Sequence, residues 1–139
     1  MGALMVGLVS TLFMTGLVWF VQLVQYPLLE AVSGRSHTEY QRRHMVRTLA
    51  LVTIPMLVEA AGAVGLVIVA PAPATWIGLA LVAVIWASTL AFQAPQHFEL
   101  LAAWSPPVHR ALVRDNWIRT VAWSARSLIL VWLLVHVLR

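Results

Sequence analysis

Apolar residues dominate four long stretches of the chain, and short polar or proline-containing segments separate them. The stretches cover residues 3–29, 49–70, 76–94 and 117–138. Each approaches the roughly 20 apolar residues that a helix needs to cross the hydrocarbon core of a membrane. The pattern therefore predicts one all-α domain, residues 1–139, that forms a polytopic bundle of four transmembrane helices.

Polar, amphipathic sequence precedes two of these stretches and extends them. Residues 38–48 lead directly into the second stretch, and the sequence from Val108 leads into the fourth after a break at residues 105–107, where a first helical turn tolerates proline. Pro95 is expected to kink or end the third helix, with a separate amphipathic piece over residues 96–104. The predicted bundle therefore has polar helical extensions on one side of the membrane.

Composition excludes most classes of soluble protein. Only 10% of the residues are charged and 61% are hydrophobic, whereas about 25% of residues are charged in a typical soluble domain. All nine basic residues are arginines that flank or enter apolar stretches, so they are expected to orient helices and meet lipids rather than bind nucleic acid. The chain has no cysteine, which excludes disulfides and thiolate metal sites.

The arginines are distributed unequally among the loops, and this predicts an orientation. The first and third loops with their extensions contain Arg35, Arg42, Arg43, Arg47, Arg110 and Arg114. The Pro-Ala turn at residues 71–74 contains none. Because cytoplasmic loops are enriched in basic residues, loops one and three are predicted in the cytoplasm, with both termini outside the cell (inner) membrane.

Polar side chains recur at helical spacing near the predicted cytoplasmic end of every stretch. Polar groups in lipid are costly, so they usually face the interior of a bundle. The pattern predicts a cavity with aromatic walls and a few convergent polar groups, which is the usual composition of a small-ligand site. The expected polar lining is Gln22, Tyr26, His44, Arg47, Gln93, His97, Asn116 and Arg119, and the expected aromatic walls are Trp19, Trp86 and Trp123.

Four of these residues carry the predicted catalytic chemistry. Asn116 or Arg119 would stabilise negative charge on a phenolate oxygen, and His44 or His97 would move protons. The predicted substrate-binding residues are Trp19, Gln22, Tyr26, Trp86, Gln93 and Trp123. An alternative stays open, in which these groups bond only to one another and to headgroups and tie the helix ends together, at roughly 0.6–2 kcal/mol per hydrogen bond.

His44 and His97 are expected to approach each other across the second and third helices. Such a pair could ligate a haem, or a metal site completed by Glu99 or His109. However, no HxxxH or ExxH spacing occurs in the sequence. A cofactor-free protein, in which these histidines are hydrogen-bonding groups, is therefore the favoured reading, and haem or metal is the alternative.

Two ionisable residues lie deeper in the predicted membrane. Glu59 is about 10 residues into the second stretch, roughly 15 Å from its start, and Arg126 follows Asn116 by 10 positions in the fourth. Neither charge would be stable alone at that depth. We expect Glu59 and Arg126 to form a buried ion pair, either as a structural link or as a proton-handling or substrate-binding site.

Three short segments resemble the anthrone-oxygenase-like family of small four-helix membrane proteins. They are Gln25-Tyr26-Pro27-Leu28, Ala94-Pro95-Gln96-His97 and Asn116-Trp117-Ile118-Arg119-Thr120. Where an activity is assigned in that family, it is the oxygenation of polycyclic aromatic anthrones to quinones. The resemblance implies that Asn116, Trp117 and Arg119 are site residues, with Trp117 joining the substrate-binding set. Gln96-His97 stands where the family pattern has an asparagine, so the resemblance leaves the substrate open.

Two classes of function follow from these features. One is a membrane oxidoreductase or oxygenase that acts on a hydrophobic aromatic or quinone-like compound. The other is a non-catalytic protein that binds lipid or a small ligand, or that serves as a transport subunit or assembly factor. Transport by one subunit is disfavoured because the outer half is nearly free of polar residues. The small residues at positions 60–65 would allow close helix packing, within the chain or in a homo-oligomer.

Overall fold

The computed structural model describes residues 1–32 and 36–137, and these form four helices without a strand. The helices are α1 (Gly2–Leu29), α2 (Ser36–Val69), α3 (Pro73–Ala102) and α4 (Pro106–Val137). Each of them is long and apolar enough to span a membrane. The predicted all-α class, with a bundle of four apolar helices, is confirmed.

Sequential helices run antiparallel around the bundle, and α1 also packs against α4. One end of the bundle therefore collects the ends of α1 and α3 and the starts of α2 and α4. We call it the basic end, because its described arginines are Arg42, Arg43, Arg47, Arg110 and Arg114. Arg35 of the predicted first loop and Leu138 of the predicted fourth span lie outside the described residues.

The polar extensions are continuous with α2 and α4, as the sequence predicts, but α3 differs from expectation. It runs through Pro95 to Ala102 without ending. A π turn, Thr89–Gln93, comes just before this proline, and the Ala94 N–H donates to the Thr89 carbonyl five residues back. The wider turn accommodates the proline ring, which would otherwise clash with the carbonyl one α-turn earlier.

Helix α1 also contains a π turn just before its proline, Pro27. The π turn Val21–Gln25 precedes Tyr26 and Pro27, and the Tyr26 N–H donates to the Val21 carbonyl. A π turn takes up one residue more than an α turn, so it shifts the register of side chains that follow it. Both π turns lie near the basic end. They therefore affect the directions in which Gln22, Tyr26 and Gln93 project.

Away from the basic end, apolar clusters fill much of the core. Ile85, Met14 and Trp123 belong to a buried cluster at the centre of the bundle. Helices α1 and α2 approach each other at glycines: a Cβ placed on Gly62 would lie 3.5 Å from the Gly7 Cα. The small residues of α2 therefore make at least one close contact within the chain itself.

Candidate ligand site at the basic end

A buried polar network joins all four helices near the middle of the bundle. Glu59 of α2 accepts hydrogen bonds at Oε1 from the Thr11 hydroxyl (2.6 Å) and from Nε of Arg126 (3.0 Å). Its Oε2 accepts one from Nε1 of Trp123 at 2.9 Å. Glu59 and Arg126 are each 1% exposed, so the ion pair expected from their depth is present and enclosed.

Arg126 also bonds to the third helix through the backbone. Its Nη1 donates to the carbonyl of Gly78 at 2.6 Å, and a Cβ at position 78 would lie 3.0 Å from that nitrogen. A side chain at position 78 would therefore require the guanidinium to shift by a few tenths of an ångström. The Nη2 atom of Arg126 is buried and has no hydrogen-bond partner among the described residues.

A cavity of about 340 Å³ lies between α2 and α3 at the basic end. Its outer rim is apolar: Val46, Leu49 and Phe98 line it and are each more than 60% exposed. In a membrane such side chains face lipid, so the cavity opens sideways toward the bilayer. Its volume is within the roughly 300–1,000 Å³ that is typical of ligand pockets.

Polar groups form the inner wall of this cavity. The residues that supply them are Tyr26, His44, Thr48, Thr89, Gln93, His97 and Arg119. Gln93 is only 1% exposed; its Oε1 accepts from the Ser88 hydroxyl at 3.0 Å, whereas its Nε2 has no partner in the described part of the chain. A buried donor of this kind normally has a partner, and here it belongs to a residue lining an apolar-mouthed cavity.

His97 is fixed at both ring nitrogens. Gln41 Nε2 lies 2.8 Å from Nδ1 and donates to the His97 carbonyl at 3.3 Å, which sets the orientation of the amide. Nδ1 is then the acceptor, so Nε2 carries the proton and donates to the Tyr26 hydroxyl oxygen 3.0 Å away. The hydroxyl proton of Tyr26 stays available to a ligand in the cavity.

His44 has a different environment on the same wall. Its Nδ1 is in hydrogen-bond contact with Gln25 and lies 3.2 Å from the Thr48 hydroxyl. No described residue hydrogen-bonds to its Nε2. The ring centroids of His44 and His97 are 5.4 Å apart, so the predicted approach of the two histidines is present.

His44 and His97 do not belong to a set of side chains that could bind a metal ion. Within residues 1–32 and 36–137, no group of three or more His, Asp or Glu side chains is placed to hold a metal ion. Both nitrogens of His97 are already engaged by protein groups. The residues present therefore do not fit a haem or metal without rearrangement.

Arg119 is oriented by the amide of Asn116, which Gln22 holds in turn. Its Nε and Nη2 donate to Oδ1 of Asn116 at 2.9 and 2.6 Å, and Nη1 lies 3.4 Å from the Thr89 hydroxyl. Asn116 in turn donates to Oε1 of Gln22 at 2.8 Å, and the Gln22 amide donates to the Val113 carbonyl. Arg119 lines the cavity, whereas Asn116 and Gln22 are buried behind it.

Trp123 connects the cavity wall to the network around Glu59. The Arg119 guanidinium carbon lies 5.8 Å from the centre of its ring. The same ring lines a small void of about 50 Å³ that adjoins the main cavity at Tyr26, His44 and Arg119. The side chain is 1% exposed, so Trp123 is a buried wall between the ligand site and the midpoint of the bundle.

Several predicted lining residues lie elsewhere. Trp19 and Trp117 are 38% and 42% exposed and pack edge to face, with Trp19 Nε1 donating to the Ser124 hydroxyl on the outer α1–α4 seam. Trp86 packs against the apolar core, and Arg47 lines a separate outer groove. These four side chains do not line the cavity, because a helical stripe that faces inward also covers the seams between helices. Gln22 and Asn116 support Arg119 rather than line the cavity.

The sequence reading missed three participants of the site. Gln41 is fully buried and orients His97, although it was not among the residues predicted to line the cavity. Its spacing to His44 and Thr48, three and seven residues, is the signal that could have identified it. Thr11 donates its hydroxyl to Glu59, and Gly78 accepts from Arg126 through its backbone carbonyl. No sequence pattern identifies either residue.

A scan against protein-family models and searches of curated proteins and of solved structures find no significant match to this chain. The geometry of the cavity is therefore the basis for assigning a function.

Proposed function

We propose that this chain is a membrane oxygenase whose substrate is a flat, lipid-soluble aromatic compound with an ionisable oxygen, such as an anthrone. One observation carries the proposal. A cavity with an apolar, lipid-facing rim leads to an inner wall where Tyr26, Gln93 and Arg119 supply hydrogen-bond donors. A hydrophobic ring system suits the rim, and its oxygen suits the donors.

The donors favour the anionic form of such a substrate. An anthrone has a methylene group and a ketone that both bridge the same two aromatic rings. Loss of one methylene proton gives an enolate, with its charge on the former ketone oxygen. Arg119 and the Tyr26 hydroxyl would bind that oxygen, in the manner of an oxyanion hole. His44, which lines the cavity, would accept the proton at Nε2 in the tautomer whose Nδ1–H is donated to the Thr48 hydroxyl, with the Gln25 amide reversed.

The oxidant in this proposal is dioxygen. The carbon of the enolate forms a bond to one oxygen atom, and the O–O bond then breaks as the second methylene hydrogen leaves. The carbon becomes a carbonyl, and the two hydrogens leave with the other oxygen atom as water. Substrate plus O₂ thus gives quinone plus water, with two oxygen atoms accounted for and no external reductant.

The orientation of the bundle is part of the proposal. Arginines cluster at the basic end, and cytoplasmic segments are the ones enriched in such residues. This supports a location in the cell's inner membrane with the cavity in the cytoplasmic half and both termini outside. A cysteine placed at Ala72 should then react with an impermeant maleimide in intact cells, and one at Ala103 should not.

The activity is tested on protein reconstituted in lipid nanodiscs, with anthrone and 1,8-dihydroxyanthrone as probes. Quinone formation is followed by absorbance, oxygen uptake by electrode, and incorporation of one ¹⁸O atom by mass spectrometry. Tyr26→Phe and Arg119→Leu should each lower kcat/KM by about 10²–10³, the usual effect of losing an oxyanion-hole donor. Empty nanodiscs give the uncatalysed rate, and wild-type protein that does not exceed this rate would contradict the proposal.

A binding protein without catalysis is the second candidate, and one observation favours it. Both nitrogens of His97 are engaged by Gln41 and Tyr26, so this histidine has a complete structural role. The same nanodiscs distinguish the two functions. Binding of anthraquinone that depends on Tyr26 and Arg119, with no oxygen uptake above the background for any probe, would indicate the binding protein.

A further inference from the structure

A second concave surface lies at the basic end, on the outer side of the contact between α1 and α2. This groove has a volume of about 350 Å³. Helix α1 contributes Gln25, and α2 contributes residues one helical turn apart: Tyr40, Arg43, Arg47 and Leu51. The groove lies across α2 from the lipid-facing mouth of the ligand cavity, and neither candidate function makes use of it.

The groove has an excess of positive charge. Arg42 and Arg43 both pair with the one carboxylate of Glu39, so one of the two guanidinium charges is not neutralised by that carboxylate. Arg47 is exposed and forms no ion pair with any residue in the ranges 1–32 and 36–137. Tyr40 and Gln25 add neutral hydrogen-bond donors along the same surface.

The polarity of the groove changes along α2 in the direction of the membrane. Arg43 and Arg47 precede the apolar part of the helix, and Leu51, which is 50% exposed, forms the other end. A surface that is cationic at one end and apolar at the other, at the start of a membrane span, matches the boundary between lipid headgroups and acyl chains.

We propose that this groove binds an anionic phospholipid, with Arg43 and Arg47 contacting the phosphate and an acyl chain passing Leu51. Guanidinium groups donate to phosphate oxygens in a bidentate manner, and basic pockets beside membrane helices hold anionic headgroups. The apolar end favours a lipid over free phosphate. Because His44 and Thr48 line both this groove and the ligand cavity, the bound lipid lies against the wall of the ligand site.

The test measures lipid retention, which does not depend on any catalytic activity. Full-length protein in mild detergent is titrated with phosphatidylglycerol or phosphatidylcholine, and bound lipid is counted by native mass spectrometry. Wild-type protein should bind phosphatidylglycerol at least tenfold more tightly than phosphatidylcholine. Arg47→Gln should weaken that binding about fivefold, and Arg43→Gln with Arg47→Gln about 25-fold, from the usual contribution of one arginine near an anionic surface.

Arg110→Gln is the matched control, because it removes the same charge from the same end of the bundle at an exposed residue that neither lines the groove nor shares Glu39 with a groove arginine. It should change the affinity less than twofold. Equal binding of the two lipids, or equal effects of Arg110→Gln and Arg47→Gln, would overturn the proposal. Displacement of the lipid by millimolar inorganic phosphate would reassign the groove to a soluble anion. Arg47 is exposed, so its variant is expected to fold, and circular dichroism checks this.

Discussion

The indole of Trp123 donates a hydrogen bond to Glu59 across 2.9 Å, while the Arg119 guanidinium carbon lies 5.8 Å from the centre of the same ring. Trp123 is therefore held between the mid-bundle ion pair and the cavity. A buried carboxylate with three donors, from Thr11, Arg126 and Trp123, fixes the position of the ring beside Arg119. The ion pair and the cavity wall thus share Trp123.

The first prediction concerns the ion pair of Glu59 and Arg126. Glu59→Met leaves a guanidinium buried without its counter-charge, which should lower the free energy of unfolding by about 3–5 kcal/mol. Glu59→Met combined with Arg126→Met removes both charges and should recover at least half of that loss. Unfolding in mixed micelles measures both values, and a double variant as unstable as Glu59→Met would show that pairing is not the main contribution.

The second prediction concerns Gly78. Alanine there would place a Cβ 3.0 Å from the Arg126 guanidinium, so the guanidinium must move from the Gly78 carbonyl. We expect a loss of about 1–3 kcal/mol in unfolding free energy, as for other overpacked sites. Gly16→Ala is the control, because a Cβ there meets nothing within 4 Å, and it should be neutral or slightly stabilising. Equal effects of the two substitutions would contradict this explanation.

The sequence predicts the depth of charged residues better than the direction of polar ones. Glu59 and Arg126 could be paired in advance, because two charges at one depth in an apolar bundle have few other partners. Trp19 could not be placed, since its helical stripe faces α4 along a seam that extends to the lipid surface, where the indole bonds to Ser124. Spacing identifies a face of a helix but not the neighbour that it meets.

The π turns and the buried Gln41 show a second limit of prediction from the sequence. The sequence predicts that Pro95 kinks or ends the third helix, yet the helix does not end there, because Thr89–Gln93 widens to accommodate the proline. Gln41 lies in a polar helical extension, where polarity alone gives no sign of burial, but it is fully buried against His97. In both cases packing against other helices decides the outcome, and a single sequence does not contain that information.

The third prediction separates the orientation of Arg119 from direct ligand contact. Asn116→Ala removes the acceptor of two Arg119 hydrogen bonds without changing a residue that lines the cavity. Affinity for anthraquinone in nanodiscs should fall about tenfold, because the guanidinium is no longer oriented toward the ligand. Ser124→Ala removes a side-chain hydrogen bond from the same helix at the outer surface and should leave the affinity within twofold. The idea fails if both variants bind alike.

The last prediction concerns the lipid-facing mouth of the cavity. Val46→Trp adds an indole at the rim between α2 and α3 and should narrow the entry. Binding of a three-ring quinone should weaken by at least tenfold, whereas a one-ring quinone, which needs less width, should lose less than threefold. Ile54→Trp is the matched control, since Ile54 is an exposed residue of the same helix, 69% accessible, that does not line the cavity. Equal losses for the two quinones would indicate general disturbance of α2, and an unchanged affinity for the larger one would show that ligands do not enter between α2 and α3.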